Sequence, residues 1–167
     1  MHLSIPKVGL ALLCISVSVW AAQDPLMGTW KLNLSKSTYI ARAPSRARTR
    51  SPGPAPKSSL NTYGPHGADG FTYDAVQVDA QGKSLHVTFV ADYDGKDYPI
   101  NGDPTRDAIF AERIDAYTTR TTNKKNGKIT TASLRVISKD GRTMTLTTTG
   151  TNAQGQPVNN VTIYERQ

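Results

Sequence analysis

From Ser58 onward the sequence is cut into short segments by turn-forming residues, and that spacing limits the fold more than any other feature. Lys57–Tyr63 ends at Gly64-Pro65, and Phe71–Asp79 and Ser84–Tyr93 flank Asp79-Ala80-Gln81-Gly82. Asp94-Gly95 precedes Asp97–Ile100, which closes on Asn101-Gly102-Asp103-Pro104. Asp115-Ala116 separates Asp107–Ile114 from Tyr117–Lys124, while Asn126-Gly127, Asp140-Gly141 and Asn152–Pro157 set off Lys128–Ser138, Thr143–Thr149 and Val158–Arg166. Asn-Gly and Asp-Gly pairs supply the positive φ angles of tight hairpins. The segments are rich in threonine and β-branched residues, which suit strands, and none sustains a helical period. With one strand before them, ten strands are predicted. Turn signals about every ten residues fit a sandwich or an up-and-down barrel.

Alternation assigns the faces. Leu85, Val87, Phe89, Ala91 and Tyr93 share one side of their strand, with Ser84, His86, Thr88 and Asp92 on the other and Val90 breaking the pattern. Leu134 and Val136 share a face, as do Met144 and Leu146, and Val161 and Ile163. Arg135 alternates with Leu134 and Val136 and is therefore expected to face solvent. Phe71, Tyr73 and Ala75 oppose Val76 and Val78. Such mixed strands fit a barrel whose interior carries some polar groups, and a two-sheet sandwich as well.

The chain before the punctuated region is organised around Asp24–Tyr39, DPLMGTWKLNLSKSTY. Gly28 allows a tight turn into the first strand, and Trp30 offers a large apolar plate to plug a narrow barrel end. Gly28-Thr29-Trp30 followed by Lys31-Leu32-Asn33 resembles the opening strand of lipocalin-like (calycin) barrels. It is still more similar to a group of small exported bacterial proteins that open on GTWKLN and end on a YER-type strand; Asp94-Gly95-Lys96-Asp97-Tyr98-Pro99 is a further shared segment. The resemblance implies an all-β, antiparallel up-and-down barrel of about 8–10 strands. It also implies closure by a basic residue near the chain end, so Arg166 is expected to form a cation–π pair with Trp30, with Gly28 completing the closed end. As a carrier for a small apolar or amphipathic ligand, such a barrel would be lined here by Phe71, Tyr73, Leu85, Val87, Phe89 and Tyr93. Tyr164 and Arg166 have the spacing of the fatty-acid-binding tyrosine–arginine pair in reverse order, but the proline-rich loop supplies no helical lid.

Met1–Ala21 has the three parts of a secretory signal: a basic start, an apolar run over Val8–Val19 too short to span a bilayer, and small residues before the cut. Cleavage is expected after Ala21, with Ala22 as the alternative, leaving residues 22–167 as one domain in the periplasm or outside the cell. Cys14, the single cysteine, leaves with the leader, so neither disulfide nor thiol chemistry is expected in the mature chain. The sequence carries 20 basic and 13 acidic residues, a net charge of +7. Four of the basic residues, Arg42, Arg46, Arg48 and Arg50, fall in an Arg/Pro-rich loop at 40–56 that contains Pro44, Pro52, Pro54 and Pro56. The prolines forbid helix and favour an extended connector. Its segment Ile40–Arg50 reads as an insertion relative to the exported group. The loop is either a solvated connector or a weak contact for an anionic membrane surface. Arginines without interleaved aromatics argue against nucleic acid.

Catalysis and metal binding have little support. The sequence holds no GxSxG elbow or HExxH motif. His66 and His86 lack neighbouring ligands, Glu112 and Glu165 do not form a pair, and the acids of Asp94–Asp103 lack the calcium-loop spacing. The expectation is a non-catalytic protein without a cofactor or metal. The alternative is a packed-core interaction protein that contacts anionic surfaces through the Arg42–Arg50 loop.

Overall fold

Among the described residues eleven strands form one antiparallel sheet, and ten of them curl into a nearly closed barrel. The computed structural model describes residues 24–41, 51–52, 55–152 and 155–167. The expected leader, Met1–Ala21, and Arg42, Arg46, Arg48 and Arg50 lie outside the described residues. The strands are β1 (Gly28–Ala41), β2 (Ser51–Pro52), β3 (Ser58–His66), β4 (Gly70–Val78), β5 (Ser84–Asp92), β6 (Asp97–Pro99), β7 (Ala108–Arg113), β8 (Thr118–Lys125), β9 (Lys128–Ile137), β10 (Thr143–Thr151) and β11 (Pro157–Arg166). Among the described residues there is no helix, and so none long and apolar enough to cross a membrane.

The order around the wall is β5-β4-β3-β1-β11-β10-β9-β8-β7-β6, with two-residue β2 paired only to the far end of β1. Each hairpin pairs with the next, and the chain's first long strand zips to its last: Trp30 faces Arg166, and Leu32 faces Tyr164. The ten strands expected from turn spacing are all present. β3 runs past Tyr63 through Gly64-Pro65 to His66. Gly28 is the first residue of β1 and sits opposite Tyr63, so the end of β3 pairs with β4 alone, where a strand edge tolerates proline.

β1 carries an irregularity between Asn33 and Thr38 against β11. Side chains from LNLSKS satisfy the displaced backbone. Asn33 Oδ1 accepts from the Lys36 amide (3.1 Å) and Ser35 Oγ (2.8 Å). Ser37 Oγ donates to Asn33 O (2.7 Å) and accepts from the Ile163 amide (2.9 Å), standing in for one rung of the ladder.

Closure between β5 and β6 is thin. A single bridge joins Thr88 to Asn101, through amide-to-carbonyl bonds of 3.1 Å and 2.9 Å. Its thinness has a sequence cause. The Ile100 amide points to Asp107 on the β7 side and the Asn101 amide to β5. Because successive amides alternate in direction, residue 99 would also donate toward β5, and Pro99 has no N–H.

Candidate functional site

The closed end is built from the turn before β1. The Leu26 amide donates to Asp24 Oδ1 (2.9 Å), the Met27 amide to Asp24 O (3.0 Å), and the Trp30 indole to Leu26 O (2.8 Å). This turn seats Leu26, Met27 and a fully buried Trp30 as a plug. Arg166 lies over the indole, with Cζ 4.2 Å from the ring, and donates to the carbonyls of Gly141, Met27 and Pro25. Gly28 has φ +119°, and a Cβ there would sit 2.6 Å from Arg166 Nη1. Trp30, Arg166 and Gly28 thus meet in one cluster. Tyr164 also points inward and is buried against the core.

Above the plug one wall is aromatic. Phe71, Tyr73, Val87 and Phe89 are buried on the inner faces of β4 and β5, with Leu85 and Tyr93 packed against them. The rings touch one another: Tyr73 stacks on Phe89 (centroids 4.6 Å apart), Phe71 meets Phe89 edge-on (5.8 Å) and Tyr93 (5.2 Å), and Tyr63 of β3 joins Tyr73 (5.1 Å) and Phe71 (6.0 Å). All six expected lining residues therefore share the interior, with part of their surface spent on one another. Val76 and Val90 point outward.

The other wall mixes polar groups with Ile109, Ala111, Ile137 and Met144, which are also buried. Thr119, Thr121 and Asn123 of β8, Ser133 and Arg135 of β9, and Thr162 of β11 are buried, as are Ser59 and Asn61 of β3. Asn123 binds Thr131 Oγ1 (3.0 Å) and accepts from Arg106 Nη1 (2.9 Å), whose Nε donates to Asp103 Oδ2 (2.6 Å). Burial pushes the Asp103 carboxyl up, but Arg106 and the Thr105 hydroxyl and amide together hold it below the usual carboxylate value.

Arg135 corrects the sequence expectation. It faces inward and is 5 % exposed, whereas Leu134 and Val136 point outward at 40 % and 39 %. Ser133 and Ile137 share its inward parity. Contiguous Val136-Ile137 leaves the parity of this strand ambiguous in sequence, and the pair Leu134/Val136 points to the wrong face. The Arg135 guanidinium donates from Nη1 to Thr119 Oγ1 (3.1 Å) and lies 4.9 Å from the Tyr63 ring centre. Among the described residues its buried Nε has no hydrogen-bond partner, and neither has the buried hydroxyl of Tyr93. Burial raises the pKa values of Tyr63, Tyr73 and Tyr93, the last to about 12, against the opposing pull of Arg135 in all three. At neutral pH these phenols are uncharged donors.

Sequence reasoning also missed Arg106, Asp103 and Asn123. Asp103 and Arg106 lie in a turn segment that reads as surface punctuation, and only the fold swings Arg106 onto the inner end of β8. At the β5–β6 seam an open surface cleft of about 640 Å³ lies beside the single bridge, lined by Thr72, Tyr73, Asp74, Thr88, Phe89, Val90, Tyr98, Pro99 and Asn101; the Tyr73 and Phe89 side chains themselves are buried. At the closed end, Arg113 bridges Asp24 (2.7 Å) and Asp69 (3.2 Å) and lies over Tyr93, with Cζ 4.1 Å from the ring. Asp94 pairs with Lys96, and His86 meets Asp74 on the outer surface at 3.0 Å. Among the described residues no three His, Cys, Asp or Glu side chains gather as a metal site. No protein-family model matches the chain, and no curated protein matches it.

Proposed function

We propose that this chain is an exported, lipocalin-like, non-catalytic binding protein that holds a small amphipathic molecule inside its barrel. The observation that carries the reading is the two-sided interior: an aromatic wall on β3–β5 faces a wall of hydroxyls, amides and a guanidinium on β8–β9. A chain that needed only a stable core would fill it with apolar groups, because each buried polar group adds a desolvation cost that its hydrogen bonds merely offset. An occupant with an apolar body and a polar end meets both walls at once. The thin β5–β6 seam, held by one bridge beside the surface cleft, supports a route in from the side.

Native mass spectrometry of the protein purified from its own host tests this, beside the same sample denatured. A reproducible extra mass lost on denaturation is the expected result, and it identifies the cargo. Bare protein that also fails to take up fluorescent lipid probes would overturn the reading.

A further inference from the structure

We infer that Asn101-Gly102 is a site of spontaneous covalent modification, and that conversion of Asn101 to isoaspartate releases the one bridge that joins β5 to the end of β6. The inference stands apart from the carrier reading and holds whether or not the barrel has a cargo.

Asn-Gly occurs twice in the chain, at Asn101-Gly102 and Asn126-Gly127. Asparagine is a thermolabile residue, and most so before glycine, which puts no side chain beside the attacking nitrogen. The reaction needs only water. The Gly102 nitrogen loses its proton and attacks Asn101 Cγ, closing a five-membered succinimide and expelling ammonia. Water then opens the ring. Opening at Cγ leaves aspartate; opening at the main-chain carbonyl leaves isoaspartate, with a free α-carboxylate and Gly102 attached through the former side chain.

The fold both requires this pair and leaves it open to reaction. Gly102 has φ +80°, and a Cβ there would overlap the His86 carbonyl oxygen of β5. A residue without a side chain lets the segment after β6 come this close to β5. The glycine that makes Asn101 labile is therefore the one the seam demands. Both residues are exposed, and the Gly102 amide and the Asn101 side chain have no hydrogen-bond partner among the described residues. To bring the nitrogen onto Cγ, Asn101 turns about its Cα–C bond. That movement breaks one bond, from the Thr88 amide to the Asn101 carbonyl (3.1 Å). Asn126 is held more firmly. It sits at φ 50° in a two-residue turn between paired Lys125 and Lys128, and its amide donates to Asp107 Oδ2 (2.9 Å). The same rotation there undoes the hairpin.

Isoaspartate lengthens the main chain by one methylene between Asn101 Cα and the Gly102 nitrogen. At the closest approach of the seam there is no room for it, so Gly102 leaves His86 or Asn101 leaves Thr88. Pro99 has no amide to replace the lost bond. Without the Thr88–Asn101 bridge, no main-chain bond joins this segment to β5 among the described residues.

The test incubates the purified protein at pH 8.5 and, in parallel, at pH 6. Peptides are then mapped by mass spectrometry, with fragmentation that separates isoaspartate from aspartate. Asn101 should convert at least about fivefold faster than Asn126, the ratio worth one net backbone hydrogen bond. Conversion should be faster at pH 8.5, where the attacking amide loses its proton more readily. Hydrogen exchange on the aged protein should show the Thr88 amide exchanging at least about fivefold faster than in fresh protein, with amides in the middle of β10 unchanged. Asn101→Gln must close a six-membered ring, so it should age without modification at position 101 and keep the fresh rate at Thr88. Should it fail to fold, Asn101→Ser carries the same comparison, since the bridge uses main-chain atoms alone. An Asn101 that stays intact, or that converts after Asn126, overturns the site. Conversion of Asn101 with Thr88 exchange unchanged, or equal loosening in the aged variant, overturns the release of the bridge.

Discussion

Arg166 lies flat over Trp30, with its guanidinium carbon 4.2 Å from the ring, while its nitrogens donate to Pro25, Met27 and Gly141. One side chain of the last strand thereby joins the turn before the first strand to the turn between β9 and β10. Three carbonyls spread around one planar group suit a guanidinium and not an ammonium. Arg166→Ala should cost about 3 kcal/mol or more in urea unfolding, because hydrogen bonds to a charged donor are lost and their acceptors stay half-buried. Arg166→Lys should recover less than half of that loss. An alanine variant within about 0.5 kcal/mol of the parent would mean the clamp adds nothing to closure.

Gly28 should tolerate no side chain. Its φ of +119° lies where residues with a Cβ are strained, and a Cβ would press on Arg166 Nη1. Moving that nitrogen away breaks its bond to the Met27 carbonyl. Gly28→Ala should therefore lose about 2 kcal/mol. In the Arg166→Ala background it should lose measurably less, since the steric part disappears with the arginine. A double-mutant cycle on urea midpoints reads the difference.

The sequence makes the barrel legible where local chemistry sets local structure. Asn126-Gly127 forms its hairpin with both residues at positive φ, and the alternation of Leu85 through Tyr93 correctly puts those side chains inside. Within LNLSKS, Asn33 and Ser37 carry the chain through an irregularity and on to Ala41. Side-chain hydrogen bonds replaced the ladder there, and no periodicity signals such a replacement. The polar half of the site is the least legible. Arg135 sits between two apolar residues that turn out to face solvent, and the Asp103–Arg106 pair is part-buried because Arg106 reaches Asn123 of β8. A polar interior reverses the rule by which alternation is read, so the residues that make this barrel distinctive are those it hides.

Acid should weaken the Asp103–Arg106 pair at a defined place. The Asp103 carboxyl is held below its ordinary 3.8 in the folded protein, chiefly by Arg106 and Thr105 against the opposing effect of burial. A depressed folded pKa means that the ionised form is favoured by folding. Its stabilisation is fully present above the unfolded value near 3.8 and is lost as pH falls through the lower folded value. Several exposed carboxyls are also held low, among them Asp94, Asp140 and Glu165, so the parent's total acid sensitivity exceeds this one pair's. Asp103→Asn isolates the pair. The stability difference between parent and variant should be constant from pH 7 to pH 5 and shrink below pH 4. A difference that stays constant down to pH 2.5 would mean that the carboxyl's ionisation is irrelevant to folding.

The β5–β6 seam should be where the wall opens first. Most neighbouring strands share ladders of many paired residues; β4 and β5, for example, pair continuously from Gly70–Asp92 to Val78–Ser84. The seam has one bridge, Thr88–Asn101, and Pro99 removes the next donor that would face β5. Opening there breaks two backbone bonds and leaves the remainder of the sheet intact, so its free energy lies well below that of global unfolding. Hydrogen exchange by NMR should show the amides of Thr88 and Asn101 exchanging at least about tenfold faster than those in the middle of the β9–β10 and β10–β11 ladders. Their exchange should also be less sensitive to low urea than that of the ladder amides, since a local opening exposes little new surface. Uniform exchange across seam and ladders would show that the barrel opens only by unfolding as a whole.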